Sequence, residues 1–235
     1  MAFAVKYRCE FTTLKGRYVK VDIEKDGYGG SVIDLIAATD QPLLISYPNG
    51  EFDKFVTIKE SRMDMLVLNR GVAASDFLTT SDNEYKVKVY INNVIEWQGW
   101  LDNDKLEQPF VDTDTTIRLT ANDGLELIKN KPYADSSGNQ VWSIQQIKEF
   151  IGNCLNKTEL GLQWVSFINT YPAGYDQRGV NADYDAFYYI NIMSHTFLIN
   201  TKDFDDCYSV LSKIMEAFCC TLMQARGKWY IVKPN

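Results

Sequence analysis

The sequence has little of what catalytic and metal sites are usually built from. Its 235 residues include 1 histidine, His195, and 5 cysteines that are scattered without a C-x-x-C pair. A Ser/His/Asp or Cys/His mechanism needs a base that titrates near neutral pH, and no G-x-S-x-G turn accompanies His195 to supply a nucleophile. An odd number of unpaired cysteines argues against a disulfide framework and against structural zinc. We therefore expect no catalytic residue, no metal and no cofactor, with His195 in a structural role.

Long apolar runs and runs of basic residues are also missing. No uncharged apolar stretch approaches the roughly 18 residues that a transmembrane helix needs, and the opening segment Met1–Lys6 is too short for the core of a signal peptide. The formal net charge is −7 and the pI is about 4.8, whereas a general nucleic-acid binder presents a basic stripe. These features predict a chain made in the cytoplasm, without a membrane span and without a specific nucleic-acid partner.

What the sequence does have is short runs of alternating hydrophobicity, rich in the aromatic residues that strands favour. The clearest is Glu84–Ile91. It is followed by Asn92-Asn93, a pair suited to the positive φ angles of a two-residue hairpin turn, and by a return strand at Val94–Leu101. Short strands with no helices between them predict an antiparallel barrel or sandwich over residues 1–130. The other predicted strands are Lys6–Thr12, Arg17–Glu24, Leu43–Tyr47, Lys54–Ile58, Met63–Leu68 and Thr115–Thr120.

The second half of the chain has the periodicity of helices. Ser143, with Gln146 three residues later, predicts the N-terminus of a first helix through a capping box. Apolar residues at three- and four-residue steps predict a second helix from about Asp205 to Phe218, and a hairpin from Cys220 to Val232 follows it. The predicted buried stripe of the first helix is Ile144, Ile147, Ile151, Cys154 and Leu155.

Shorter elements complete the predicted fold. Asp123–Lys129 is expected to form one or two helical turns, and Thr196–Ile199, next to His195, is a candidate strand. The fold class is therefore a β-rich α+β protein, with antiparallel strands in barrel or sandwich modules and two amphipathic helices in the C-terminal half. The predicted domains are residues 1–130 and 131–235.

Acidic clusters and one glycine-rich segment are the remaining candidate sites in the sequence. Paired carboxylates could hydrolyse a glycosidic bond, and Asp102-Asn103-Asp104 offers loop oxygens for calcium but lacks the complete calcium-loop pattern. A turn at Asp102 and a helix N-terminus after Asp203 or Asp205 explain the same acids without chemistry. Gly27-Tyr28-Gly29-Gly30 lacks the spacing of a phosphate loop and is interpreted as a turn. The acidic clusters are Asp102/Asp104, Asp112/Asp114 and Asp203/Asp205/Asp206.

The sequence also leaves open the role of the tryptophans. The odd spacing of Trp97 and Trp100 places them on opposite faces of a strand, so at most one of the two lines a given surface. Together with Trp229 they are predicted to be core or subunit-interface residues. The alternative is stacking of Trp97 or Trp100, or of Tyr184, Tyr188 and Tyr189, against sugar rings.

Three stretches of the sequence together resemble a known family. They are Tyr7–Phe11 with Arg17–Ile23; then Trp97–Leu101 with Gln108–Phe110 and Ile117–Leu125; and finally Cys207–Phe218 with Gln224–Val232. In this order they resemble the amino-terminal region of tail and baseplate proteins from phages and prophages of Bacteroidetes bacteria. The W-x-G return strand and the strand that runs into a D-G-L turn are similar to tail-hub proteins of contractile and siphophage tails. Members of the family often continue past this region, which leaves open whether the chain is complete.

The resemblance implies a ring of β-barrels around a central channel, without catalysis in this region. The resulting hypothesis is a virion structural protein of the tail tip or baseplate hub. It would form a trimeric or hexameric ring, contact other tail proteins and be made in the host cytoplasm. The alternative is a carbohydrate-binding or adhesion module that recognises host-surface glycans, and an unrecognised glycosidase is a third hypothesis. Aromatic rings buried between subunits would favour assembly, and rings exposed in a groove would favour sugar.

Overall fold

The computed structural model describes residues 2–39, 41–48, 56–78, 81, 83–107, 115–134, 137, 139–140, 142–168, 186–200 and 203–233. Within these ranges the helices are α1 (Ile147–Asn156) and α2 (Cys207–Ala217). The strands are β1 (Phe3–Thr12), β2 (Tyr18–Asp26), β3 (Ile33–Leu35), β4 (Leu43–Ser46), β5 (Ile58–Lys59), β6 (Arg62–Leu68), β7 (Tyr85–Ile91), β8 (Val94–Leu101), β9 (Thr116–Asn122), β10 (Ile144–Gln146), β11 (Trp164–Phe167), β12 (Asn191–Met193), β13 (Thr221–Ala225) and β14 (Lys228–Val232).

The chain forms two units, and it contributes to each in separate segments. The first unit comprises Met1–Pro48, Glu60–Asp123 and Ala225–Gly227. The second comprises Asn49–Lys59, Gly124–Gln224 and Lys228–Asn235. The division predicted between residues 130 and 131 stays a prediction.

An eight-stranded sheet makes up the first unit, in the order β3-β1-β2-β7-β8-β9-β6-β4. Hairpins connect β1 to β2 and β7 to β8, and both pairs are antiparallel. The predicted Asn-Asn turn is confirmed, since Asn92 and Asn93 have φ angles of 50° and 64°. Asparagine tolerates this left-handed backbone better than most residues. The local alternation and the turn chemistry therefore set the register of this hairpin.

Residues 33–38 bond to two strands near opposite ends of that order, β1 and β6. Ile33–Leu35 pair with β1, while the next residues bond to β6: Leu68 donates to the Ile36 carbonyl at 2.9 Å and Ala38 donates to the Leu66 carbonyl at 3.0 Å. This second link is a single bridge, between Ala37 and Val67. The described strands therefore form no continuous closed barrel.

Alternate residues of these strands form the apolar core of the first unit. Val21 and Ile23 on β2 lie in one buried cluster with Val87 and Val89 on β7, and the cluster includes Trp97 on β8. A strand period of two directs these side chains to a single face. The other face carries the polar and charged side chains described below.

The second unit holds the two helices, a four-stranded sheet in the order β11-β14-β13-β5 and the two-stranded ribbon β10-β12. Helix α1 packs against α2, and Trp229 and Ile231 of β14 are fully buried. The predicted fold class is confirmed: the protein is a β-rich α+β protein with mostly antiparallel strands and two helices in its C-terminal half. No helix in the described ranges combines the length and the apolar character needed to cross a membrane.

The predicted start of the first helix is wrong. Residues 144–146 form β10, which pairs with β12, and α1 begins at Ile147 with Gln146 as its N-cap. Ser194 donates to the Ser143 carbonyl at 3.0 Å, and Ser143 donates from its backbone to the Ser194 hydroxyl at 3.1 Å. Pairing with a distant segment therefore outweighs the local capping signal, and Ile144 is exposed instead of buried.

Two smaller predictions need correction as well. The first two residues of the candidate strand Thr196–Ile199 instead end a 3₁₀ turn, Ser194–Phe197, in which His195 is exposed, and Leu198 forms an isolated bridge with Phe204. The acid that caps the second helix is Asp206, and neither Asp203 nor Asp205 does so. Its side chain accepts a hydrogen bond from the backbone of Ser209 at 2.8 Å.

Candidate functional site: a buried tryptophan, serine and aspartate junction

One buried hydrogen-bonded chain connects two of the sequence motifs in the first unit. The Trp97 indole donates from Nε1 to the Ser61 hydroxyl at 2.8 Å, and that hydroxyl donates to Asp123 Oδ2 at 2.7 Å. Trp97, Ser61 and Asp123 are 1%, 2% and 1% exposed. We call these three residues the Trp–Ser–Asp junction. It joins the W-x-G motif of β8 to the aspartate that follows β9.

Asp123 directly follows the β6–β9 ladder, and its carboxyl group completes the backbone hydrogen bonding at that end. The β6–β9 ladder ends with the pair Arg62 and Asn122. One residue further along, Asp123 still donates from its backbone to the Ser61 carbonyl at 3.1 Å, but the Ser61 backbone N–H donates to the Asp123 side chain at 2.6 Å. The carboxyl oxygen thus replaces the next backbone acceptor of the ladder, so a buried N–H does not go unpaired.

Gly99 explains the W-x-G spacing. Residues two apart on a strand share a face, so Trp97 and Gly99 point the same way. A Cβ at Gly99 would lie 2.2 Å from the Asn122 carbonyl oxygen and 2.2 Å from the Trp97 ring. Only glycine leaves room for the indole to fold over its own strand and reach Ser61.

The chemistry available to the junction is structural. A hydroxyl has one proton to donate and two lone pairs. The Ser61 proton is directed to Asp123, and the Trp97 indole occupies one lone pair. A nucleophilic serine needs an adjacent base and an approach for substrate. Ser61 has a carboxyl group beside it, but at 2% exposure it leaves substrate no approach.

The other two tryptophans predicted from the sequence, Trp100 and Trp229, are also buried. Trp100 is 2% exposed, and it contacts Phe3 with ring centroids 5.7 Å apart, while Lys86 Nζ lies 4.8 Å from its ring centroid. Trp229 is fully buried in the second unit. None of Trp97, Trp100 and Trp229 offers a face for sugar stacking. Tyr188 and Tyr189 are half-buried, and Tyr184 lies outside the described residues.

A second polar cluster lies around Asp64 on β6. Its Oδ1 accepts from Thr120 Oγ1 at 2.8 Å and from Arg62 Nη2 at 2.9 Å, and Arg118 Nε lies 3.3 Å away. Burial on its own would raise the pKa of Asp64, but the hydrogen bonds from Thr120 and Arg62 and the charges of Arg62 and Arg118 outweigh it and lower the pKa. The cluster crosses β6 and β9 on the face opposite the core.

The acidic clusters singled out in the sequence have structural partners where they are described. Asp102 accepts from the backbone of Asp104 at 3.2 Å and pairs with Lys105 at 2.9 Å. Asp206 caps α2, and Asp205 pairs with Lys213. In the described part of the chain no three His, Cys, Asp or Glu side chains are grouped to hold a metal ion. Asp112, Asp114 and the stretch Gln108–Phe110 lie outside the described residues.

Sequence reasoning missed Ser61. Trp97, Gly99 and Asp123 belong to motifs visible in the sequence, whereas Ser61 stands between Glu60 and Arg62 with no pattern to distinguish it. Only the pairing of β6 with β9 brings it opposite Asp123.

Comparison with known proteins gave structural neighbours alone. No family model and no curated protein matches the chain. One neighbour is the 43 kDa tail protein of prophage MuSo2 from Shewanella oneidensis, with a TM-score of 0.43, 12% identity, and coverage of 77% of this chain and 49% of that one. Another is a tail protein from Neisseria meningitidis, with a TM-score of 0.48, 9% identity, and coverage of 91% and 50%.

A third neighbour is the prophage tail protein gp18 from Listeria monocytogenes, with a TM-score of 0.39, 8% identity, and coverage of 81% of this chain and 50% of that one. All three neighbours are thus tail proteins at low sequence identity, and two of them come from prophages. The chain spans about half the length of each of them.

Proposed function

We propose that the chain is a structural subunit of a bacteriophage tail. In this proposal it belongs to the tail tip or baseplate hub and self-associates into a ring that links the tail tube to the host-recognition apparatus. The observation that carries the proposal is the Trp–Ser–Asp junction. It unites Trp97 and Asp123, which stand in the motifs that resemble tail-hub proteins, and it gives each a structural reason to be there.

The third stretch of the resemblance supports the same proposal. Cys207–Phe218 folds as α2 and its C-terminal cap, and Gln224–Val232 spans the turn and second strand of the hairpin β13–β14. The positive φ angles of Arg226 and Gly227, 47° and 66°, form the hairpin turn. The hairpin turn of this stretch thus has a local cause.

The proposed role is not catalytic. In the junction the serine proton is directed to a carboxyl group, and all three side chains are buried. Their contribution is to fix β6, β8 and the end of β9 against one another, as a subunit under mechanical load requires. The proposed partners are further copies, in a trimer or hexamer, and other tail proteins of the virion. Synthesis in the cytoplasm of a Bacteroidetes host belongs to the same proposal.

The glycan-binding alternative receives less support from the geometry. It needs an open aromatic face, and the tryptophans that suggested it, Trp97 and Trp100, are buried. The exposed tryptophan is Trp142, whose ring centroid lies 5.3 Å from that of Phe204. Binding on a glycan array that is lost in Trp142→Ala would favour the alternative over the tail proposal.

Negative-stain electron microscopy of the purified chain tests the tail proposal. We expect closed rings of three or six subunits, because a hub subunit associates through the same surfaces in every copy. Chains cross-linked at low density before imaging control for rings that dissociate on dilution. Isolated particles in both the cross-linked and the untreated sample would contradict the proposal.

A further inference from the structure

Three large apolar side chains are exposed at the two-stranded ribbon of the second unit. Ile144 on β10 lies opposite Met193 on β12, and directly opposite residues of paired strands place their side chains on the same face. Ile144 is 64% exposed and Met193 is 48% exposed. Trp142, two residues before Ile144, is 56% exposed. We call these three residues the neutral patch.

The hydrogen bonds of the ribbon turn this face away from the core. Tyr133, which is buried, donates from its hydroxyl to Gln145 Oε1 at 2.7 Å. Successive residues of a strand point to opposite faces, so the inward side chain of Gln145 directs Ile144 outward. The ladder continues into α1, where the Ile147 N–H donates to the Ile190 carbonyl at 3.1 Å. The exposure of the patch is therefore set by the pairing of the ribbon and by its anchor on Tyr133.

The two segments that form the ribbon carry no charged side chain. Residues 136–147 and residues 186–201 contain no Asp, Glu, Lys or Arg, in a chain of which 23% is charged. The pairing of β10 with β12 brings the two segments together. Depletion of charged residues, with exposed Trp and Met, is typical of the central part of a protein–protein interface.

The charge of the chain indicates which partner fits this surface. A basic partner would be attracted to the acidic side chains of a chain with a net charge of −7, and the neutral patch has none. A second copy carries the same −7, so two copies repel each other unless they meet through an uncharged surface. In a two-fold contact identical surfaces face each other, and a charge near the axis would oppose its own sign. An uncharged apolar patch meets both requirements.

We propose that the neutral patch pairs with the same patch of a second copy in a two-fold contact. Ile144 and Met193 of one copy pack against the same residues of the other. The contact goes beyond the ring proposed above, because it joins two chains whether or not rings form. In a trimeric ring it would join two rings into an assembly of six chains.

Cross-linking at the patch tests the two-fold contact directly. Ile144→Cys, in a Cys219→Ser background that removes the exposed native thiol, is treated with a short bismaleimide over a concentration series. We expect covalent pairs of chains, with position 144 of one copy linked to position 144 of the other in the mapped peptides. Leu14→Cys in the same background is the matched control. Leu14 is fully exposed in the turn between β1 and β2, outside the patch, and should give single chains.

Ile144→Lys tests the same contact through charge. Two lysines would face each other across the axis, so we expect the mass measured by light scattering to fall to half that of the native chain. Leu14→Lys adds the same charge outside the patch and should keep the native mass. Ile144 is exposed, so lysine is compatible with the fold there, and far-ultraviolet circular dichroism checks this. The cross-linking result decides the question if the lysine variant fails to fold.

The outcomes separate this contact from the ring. Native rings whose mass is unchanged in Ile144→Lys, with no link between the two positions 144, would overturn the contact and leave the ring proposal standing. Native pairs of chains that link at position 144 and separate in Ile144→Lys would support the contact and contradict the ring. A native mass of 26.9 kDa at every concentration, without that link, would overturn both and would assign the patch to a different protein.

Discussion

Gly99 is the residue at which the space beside β8 is tightest. A methyl group there would lie 2.2 Å from a backbone oxygen and 2.2 Å from the Trp97 ring, so the strand or the indole must move. We predict that Gly99→Ala lowers the free energy of unfolding by about 2 kcal/mol or more, measured by urea denaturation. Gly29→Ala is the matched control, because a Cβ at Gly29 meets nothing within 4 Å. Equal stability of the two variants would contradict this account of the W-x-G spacing.

Asp123 accepts two hydrogen bonds from Ser61, one from its backbone and one from its side chain. Asp123→Ala leaves both donors buried, and we predict a loss of about 2–4 kcal/mol in the free energy of unfolding. The exposed carboxyl of Asp34 on β3 provides the control, and Asp34→Ala should change stability by less than about 0.5 kcal/mol. A loss at Asp123 no larger than at Asp34 would mean that the junction contributes nothing.

The lowered pKa of Asp64 predicts the direction in which the stability of the protein changes with pH. Its pKa in the folded chain is below the ordinary value of 3.8, so the carboxylate contributes stability above that pH and loses it as the pH falls through the folded-state pKa. We predict that Asp64→Asn costs about 1 kcal/mol near pH 7, because its ion pairs are partly exposed. The difference from the parent protein should shrink as the pH falls through the folded-state pKa of Asp64. Urea denaturation across pH 2–7, with Asp34→Asn as the charge control, measures this, and a pH-independent difference would contradict it.

How far a residue's role could be predicted depends on where its partners lie in the sequence. The spacing of Trp97 and Gly99 is local, and the motif was visible before the structure. Ser61 acts through a residue 62 positions away, and no local pattern reveals such a partner. For Trp100 the sequence left open a core, an interface and a sugar-binding role, since Phe3 and Lys86, which contact its ring, come from two other strands.

Helix α2 depends at its start on a single side chain. Asp206 accepts from the Ser209 backbone at 2.8 Å and from the Ser209 hydroxyl at 2.7 Å. We predict that Asp206→Ala lowers the free energy of unfolding by about 1 kcal/mol and that Asp206→Asn retains most of it, because asparagine caps helices about as well as aspartate. Thermal and urea denaturation of both variants measure the effect. An asparagine variant as unstable as the alanine variant would show that capping is not the cause.

Elements with local causes were predictable, and elements with distant partners were not. The hairpin β7–β8 follows from alternation and from two asparagines, and the observed return strand is the predicted Val94–Leu101. Residues 144–146 carry a helix signal, but pairing with residues 191–193 makes them a strand. The ladder hydrogen bonds of β10 come from a segment that the local sequence does not specify, and they outweigh a weak capping preference.

At the scale of the molecule, net charge opposes the proposed assembly. A formal charge of −7 keeps free subunits apart through long-range repulsion, which salt screens within about 10 Å at 0.1 M. A ring must overcome that repulsion with contact area.

The fold class could be predicted from strand periodicity and two helical stripes. The division into two units could not, because their segments interleave along the chain and no composition shift marks such interleaving.

Solution mass by light scattering, over a concentration series at near-physiological salt, tests the central claim most directly. Self-association into a ring predicts one discrete mass, three or six times the 26.9 kDa of the chain, that persists on dilution until the ring dissociates. A mass of 26.9 kDa at every concentration, for this chain and for any longer native form of it, would contradict the claim.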